Sequence, residues 1–422
     1  MRFLYVTYDN PAVDTILKGM NDEDLWGLPA FYHPLKQLLE RGHTIDLMLF
    51  SNSMPEVTES RFFKKENLVH IQLDYFGPMT SLILPVKMSF AVKRQLKIRH
   101  YDFVYGMGEG TDPAVCVASR AGIPCALRQY GVQEMVKRLE CVDGTLKRKL
   151  FSAVHYPFIT LSLYHKKTFL LATNDGSCAD ELFRLLQIVK KKYRYFFWRS
   201  GVGIPNELPE LPLTSNEDYP KAYDPMALSM IGRIDDVKRQ DRAVRILGEL
   251  HKRGVLMKLY IVGDDDEGVR SGSMFRKMMA TARELGVEDS LILAGKRSQT
   301  ECREYSRNSF ATLLPCEWNR VNIFYEVMAE GAIVVTNDNH SIDEFIEDGV
   351  NCLVYEEDNF AQAAEKIIAL MDDPEKIKSI RTAAHNTAKE KFMSLQKRFG
   401  MEAQLLEDAA AGKDLVQYPE VL

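Results

Sequence analysis

The stretch from Ser309 to Tyr355 constrains the fold more tightly than any other part of the chain. Its apolar runs, Phe310 to Leu314 and Ile333 to Thr336, are short, bounded by Pro315 and Gly331, and separated by a helical segment entered near Asn322 and closed by Gly331. Short runs without polar alternation suit strands covered on both faces of a parallel sheet, whose neighbours must be joined by a crossover. A further loop and helix are expected after Thr336. The loop between the first strand and the helix lies at the carboxyl end of the sheet, where open α/β sheets bind ligands. The helix N-terminus beside it offers free N–H groups and positive dipole character to a phosphate. Glu326 stands one turn inside, placed to accept hydrogen bonds from ligand hydroxyls. Its neighbours Phe324, Tyr325, Val327 and Met328 imply a covered helix, where an unpartnered carboxylate is costly.

The same alternation runs through the chain twice. In the first half, strands are expected at Phe3 to Tyr8, His43 to Phe50, Leu68 to Tyr75, Phe103 to Met107, Cys125 to Tyr130, Phe169 to Thr173 and Tyr195 to Trp198. A loop with Trp26, Gly27 and Pro29 precedes a helix from Phe31 to Arg41, and Ser177 is a candidate N-cap for a helix to Lys190. The turn Ser200-Gly201-Val202-Gly203 follows, and 204–225, rich in Pro, Glu and Asn, reads as a linker. The pattern then restarts with strands at Ala227 to Ile231, Leu259 to Val262 and Leu291 to Ala294, and a helix at Asn359 to Met371. With 422 residues, 46% of them hydrophobic, the chain can bury two cores. The expected division is 1–203, a linker at 204–225, 226–390, and a tail at 391–422.

A net charge of -5 argues against a general nucleic-acid binder. The seven cysteines are scattered singly with no C-x-x-C pair, which points to reduced thiols. No apolar run approaches the roughly 18 residues of a spanning helix, and the opening MRFLYVTYDN is too short for a signal peptide, so a soluble protein, or one touching a membrane only at its surface, is expected. The first strand turn lacks G-x-G-x-x-G, so no nicotinamide or flavin cofactor is expected. After Ile231, Gly232 lets the backbone approach a ligand, while Arg233 and Lys238 flank the turn into the next helix. Two cations there suit a diphosphate, since Arg grips two oxygens and Lys supplies a mobile charge.

These segments resemble retaining GT-B glycosyltransferases of glycosyltransferase family 4. Asn322, Glu326, Met328, Ala329, Gly331, Val334 and Val335 match the family's Glu-x7-Glu motif, helix and Val-rich strand in order, except at the first Glu. Eight residues before Glu326 stands Trp318, with Glu317 one residue earlier, so either a bulge brings Glu317 into that role or the role is lost. The resemblance implies an α/β fold of two Rossmann-like doubly wound domains facing a central cleft, the first binding the acceptor, the second the nucleotide sugar, with the tail returning to the first. It assigns the diphosphate to Gly232, Arg233 and Lys238, and the surrounding donor site to Gly263, Lys296, Arg297, Asn322, Ile323, Glu326 and, from the first domain, Gly27. Glu326, Glu317, Arg233 and Lys238 are the implied catalytic set. The Gly42-His43 pair and the Gly201-Val202 turn are further points of likeness, whereas Arg128, Gln129 and Tyr130 stand where relatives often carry a catalytic His or Asp.

The implied activity is transfer of a sugar with retention from a UDP- or GDP-sugar to an acceptor hydroxyl, with no cofactor and no metal, the run Asp264 to Glu267 being a solvated loop. His340 either touches the donor sugar or is an exposed loop residue. The acceptor is expected to be a glycan or a lipid-linked precursor, handled in the cytoplasm or at the inner membrane face. Basic and aromatic residues between Lys137 and Arg199 either contact anionic lipid or form an ordinary helix end and core strand. Two other functions remain open: a non-catalytic sugar-nucleotide binder, favoured by the missing first Glu, and a nucleotide-sugar 2-epimerase.

Overall fold

The computed structural model describes residues 1–9, 11–19, 29–60, 63–73, 80–108, 110–130, 165–174, 193–208, 226–264, 272–317, 322–339 and 341–421. Contacts divide the chain into two compact units, Met1–Ser200 with Leu395–Leu422, and Gly201–Ser394.

In the first unit, β1 (Arg2–Tyr8), β2 (Thr44–Ser51), β3 (Leu68–Gln72), β4 (Phe103–Met107), β5 (Cys125–Gln129), β6 (Phe169–Thr173) and β7 (Arg194–Trp198) form one parallel sheet in the order β3-β2-β1-β4-β5-β6-β7. Alternate residues of β1 feed different cores. Phe3 and Tyr5 pack with Leu35 and Leu38 of α2 (Pro29–Glu40), while Leu4 and Val6 pack with Met88 and Val92 of α3 (Thr80–Ile98). Both faces are covered, which is why the strands read as unbroken apolar runs. Helices α1 (Pro11–Leu17) and α4 (Asp112–Arg120) complete the described crossovers.

The second unit repeats the plan with β8 (Ala227–Ile231), β9 (Lys258–Val262), β10 (Leu291–Gly295), β11 (Ala311–Leu313), β12 (Val334–Asn337) and β13 (Leu353–Tyr355), ordered β10-β9-β8-β11-β12-β13 and parallel throughout. Its helices are α5 (Gln240–Lys252), α6 (Ser273–Leu285), α7 (Gln299–Asn308), α8 (Asn322–Ala329), α9 (Phe360–Met371) and α10 (Pro374–Lys391). In both sheets the chain winds outward one way, returns to the first strand and winds the other way. Each therefore has a switch point where neighbouring crossovers diverge and leave a crevice, β1/β4 in one and β8/β11 in the other.

One expectation fails in the stretch after β12. Among the described residues no helix forms between Thr336 and the next strand: the chain closes locally in turns such as Ile346 N–H to Asp343 O, and Gly349 with φ 69 breaks the run. Instead the chain returns as β13, a strand missed because a three-residue apolar run carries too little pattern to separate from a loop. The expected helix from Ser177 to Lys190 lies outside the described residues, as do Gly27, Trp318, His340 and Asp265 to Glu267.

The last helix, α11 (Leu395–Ala410), belongs to the first unit and packs Phe399, Ala403 and Leu406 into the cluster that holds Tyr5 and Tyr105. It also carries Glu402, fully buried. The Tyr105 hydroxyl donates to it at 2.8 Å, Arg398 Nη1 donates at 3.0 Å, and Arg128 Nε stands 3.4 Å away. Arg128 and Arg398 are themselves buried, their guanidinium groups facing the rings of Tyr130 and Trp198 at 4.5 and 4.6 Å. One buried carboxylate is thus the shared counter-charge of two buried cations.

Candidate active site

The β8/β11 switch point gathers most of the donor-side residues. After β8, Gly232 takes φ 146, a conformation open to glycine, and its N–H donates to Val262 O at 2.9 Å. Asp235 then folds the turn: its Oδ1 accepts from the N–H groups of Val237 and Lys238 at 3.0 and 2.9 Å. That turn lays the stem of Lys238 across Gly232, where a Cβ would meet the lysine carbons at 3.5 to 3.6 Å. Arg233 is half exposed, 3.2 Å from Asp235.

Glycines also end the two neighbouring strands, Gly263 after β9 at φ 144 and Gly295 closing β10 at φ 74. Gly263 is the tighter of the two, since a Cβ there would lie 2.0 Å from Gly232 O. A Gly263→Ala variant must therefore push the Gly232 turn aside as well as adopt a disfavoured φ. The expected cost is about 3 kcal/mol or more, read as a lowered Tm together with weakened nucleotide binding. Lys296 and Arg297, after β10, are exposed, and Arg297 lies 3.9 Å from Glu301.

From β11 the loop comes back onto this turn. The Glu317 N–H donates to Val237 O at 2.9 Å, and the Glu317 carboxylate forms a close ion pair with Arg239 and lies 3.8 Å from Arg242. Arg239 also binds Asp241 at 3.0 Å, and Lys277 reaches the far oxygen of Asp241 at 2.8 Å. This chain of charges fastens Glu317 to the start of α5. Sequence reasoning passed over Arg239. Its sign is the backbone, φ 58 and ψ 53, where a residue with a Cβ is strained. Arg239→Gly and Arg239→Ala both delete the guanidinium, so they differ by that strain less the extra freedom of Gly in the unfolded chain. The Gly variant is expected to be more stable by about 1 kcal/mol, measured by denaturant unfolding.

Helix α8 begins at Asn322, whose Nδ2 donates to Gly201 O at 3.2 Å. Phe324, Val327 and Met328 anchor it in a cluster with Val202, Leu314 and Val334, and Ile323 packs at the edge of that cluster. Glu326 accepts from the Gly203 N–H at 3.1 Å, and a Cβ on Gly203 would fall 2.7 Å from its Oε1. Burial raises the Glu326 pKa above the ordinary carboxylate value, while the Gly203 N–H and the nearby Arg303 and Lys238 pull it down. The carboxylate whose cost was expected to be met by a ligand hydroxyl thus has a backbone partner on one oxygen. Gly203 is a site residue that reads in the sequence only as part of a turn.

The structure brings together Gly232, Arg233, Lys238 and Gly263 through the glycine-ended strands, and Glu317 through its bonds to the same turn. Glu326, with Asn322 and Ile323 on the same helix, joins through the cluster that packs Phe324 with Leu314 and Cys316 just after β11. The comparison with protein families then bears on the same residues: 214–387 match the model described as glycosyl transferases group 1.

Gly232, Lys238, Glu317 and Glu326 all lie inside the matched stretch. Among solved structures the chain is similar to sucrose-phosphate synthase from Thermosynechococcus elongatus, with 13% identity, 98% of this chain and 100% of that chain covered, and a TM-score of 0.66. A glycosyltransferase from Rickettsia africae ESF-5 shares 15% identity over 97% of this chain and 98% of that one, at a TM-score of 0.61. HepE of Anabaena, solved in complex with UDP, shares 14% over 97% and 100%, also at 0.61. Identities this low establish the fold, which is GT-B. No curated protein matches the chain by sequence.

Proposed function

We propose that this protein is a retaining, metal-independent glycosyltransferase of the family 4 type, moving a sugar from a nucleoside-diphosphate sugar to an acceptor hydroxyl. The reading rests above all on one arrangement: the Gly232–Lys238 turn and the Glu317 loop are hydrogen-bonded to each other at the switch point of the second sheet, beside the start of the Glu326 helix. In this reading Arg233 and Lys238 hold the leaving diphosphate, stabilising charge that grows as the glycosidic bond breaks. The N-terminus of α8 adds dipole character of the same sign. Glu326 positions the donor through hydroxyl groups with its remaining acceptor capacity, and Glu317 takes the part of the first acid of the family motif, held by Arg239. Lys296 and Arg297 border the base. Departure and attack occur on the same face, and the leaving diphosphate helps deprotonate the acceptor, which the first unit binds. UDP is favoured over GDP because the Anabaena neighbour was solved with UDP and with UDP-glucose. The setting is synthesis of a surface glycan or glycoconjugate on the cytoplasmic side.

A panel of UDP- and GDP-sugars incubated with the protein tests this. Slow release of free sugar supports the transferase, formation of a 2-epimer points to the epimerase, and binding without turnover leaves a sugar-nucleotide module.

Glu326 gives a pH-dependent check. A raised carboxyl pKa means that the folded protein holds this proton more tightly than the unfolded chain, whose value is near 4.5. Stability is therefore lost as pH rises from that value through the raised one. Glu326→Gln keeps the acceptor oxygen for Gly203 without the charge, so its Tm should equal or exceed wild type at neutral pH. The gain should vanish in acid, while turnover falls at neutral pH. A Tm difference that does not change with pH would remove the buried charge from the account.

A further inference from the structure

The membrane contact expected from Lys137 to Arg199 loses part of its support, because Tyr195, Phe196 and Trp198 are buried in β7, and much of that stretch lies outside the described residues. A different surface takes its place. Helix α3 buries Met88, Val92 and Gln95 and packs Leu84, Ala91 and Leu96 against the same core. Its opposite side is left in solvent with large apolar residues on it: Phe90 is 70% exposed, Ile98 61% and Val86 46%. At about 100° per residue, Val86, Lys93, Arg94 and Lys97 fall within roughly 60° of a line through Phe90, with Ile98 at the edge. The helix contains no acid at all. Lys93, Arg94 and Lys97 are exposed, and among the described residues none of the three forms an ion pair.

We infer that this face of α3, Val86 and Phe90 followed by Lys93, Arg94 and Lys97, docks on the anionic surface of a lipid bilayer. Charge decides between possible occupants. A second copy of this chain would bring the same cations to a contact with no acid on the helix to meet them, whereas the chain as a whole carries -5. An exposed apolar ring surrounded by cations is what an interfacial helix presents: the ring enters the headgroup boundary and the cations meet lipid phosphates. Three cations and one large ring give a reversible attachment, sensitive to salt. The inference goes beyond the proposed function, draws on α3 alone, and stands or falls apart from the donor chemistry.

Vesicle sedimentation of the full chain tests it, using phosphatidylglycerol mixed equally with phosphatidylcholine against phosphatidylcholine alone, at low and high salt. Wild type is expected to sediment with the anionic vesicles at low salt and to be released at high salt. The triple variant Lys93→Glu, Arg94→Glu, Lys97→Glu should lose about tenfold or more in partitioning, and Phe90→Ser should weaken binding at both salt levels. Release of free sugar from the donor in solution, measured on the same variants, keeps the two readings distinguishable: unchanged turnover with lost vesicle binding supports the docking face. No binding by wild type, or equal binding by wild type and the triple variant, overturns it. So does a Phe90-dependent dimer in light scattering.

Discussion

Lys238→Ala is expected to lower turnover of a nucleotide sugar by about two to three orders of magnitude, with little change in Tm, and Arg233→Ala to act in the same direction. The magnitude is that of removing one preorganised donor from a developing oxyanion. The contrast with stability follows from their surroundings. Arg233 is half exposed, and Lys238 lies over Gly232 with no ion pair among the described residues, so neither anchors a core. Charges held at a turn outside the core can answer to a ligand without unfolding the sheet beneath. Single-turnover kinetics beside thermal unfolding checks both halves, and near wild-type rates in both variants would remove the diphosphate from this turn.

Glu402→Gln should produce the largest loss of stability. Glu402 sits fully buried between Arg398 and Arg128 and also accepts from Tyr105. Neutralising it leaves two buried guanidinium groups with no counter-charge, at a cost of roughly 3–5 kcal/mol. For a unit of this size that corresponds to a Tm lower by about 10 °C. The measurement is calorimetric. Glu402→Leu, which keeps the space filled with an apolar side chain, is expected to do no better, because the deficit is charge. Pairing the Gln variant with Arg398→Met, which removes one of the stranded cations, should recover part of the loss.

The alternation of short apolar runs with helices made both sheets legible, because a strand covered on two faces has no polar register to hide it. Gly232 was legible for a local reason, since a close backbone approach leaves few alternatives to glycine, whereas Gly263 was reached only through the family resemblance. What escaped was long-range. The partner of Glu326 is Gly203, 123 residues away, and the partner of Glu317 is Arg239, 78 residues away. No periodicity records such pairs. Arg239 was further disguised because Arg is an ordinary residue at a helix start, and its strain is visible only in the backbone angles. The α3 face escaped because Pro85 interrupts the run and apolar residues fall on both sides of the helix, Val86 and Phe90 as well as Met88 and Val92, leaving only coordinates to separate Phe90 from Met88.

The central claim is that the β8/β11 switch point binds the diphosphate of a nucleotide. Calorimetric titration of wild-type protein with UDP and, separately, with UMP tests it without requiring the acceptor. The second phosphate of UDP is the one expected to reach Lys238 and Arg233, so UDP should bind at least about tenfold more tightly than UMP, a difference of about 1.4 kcal/mol. Equal affinities for the two nucleotides, or no binding of either or of their guanosine counterparts, would contradict the account.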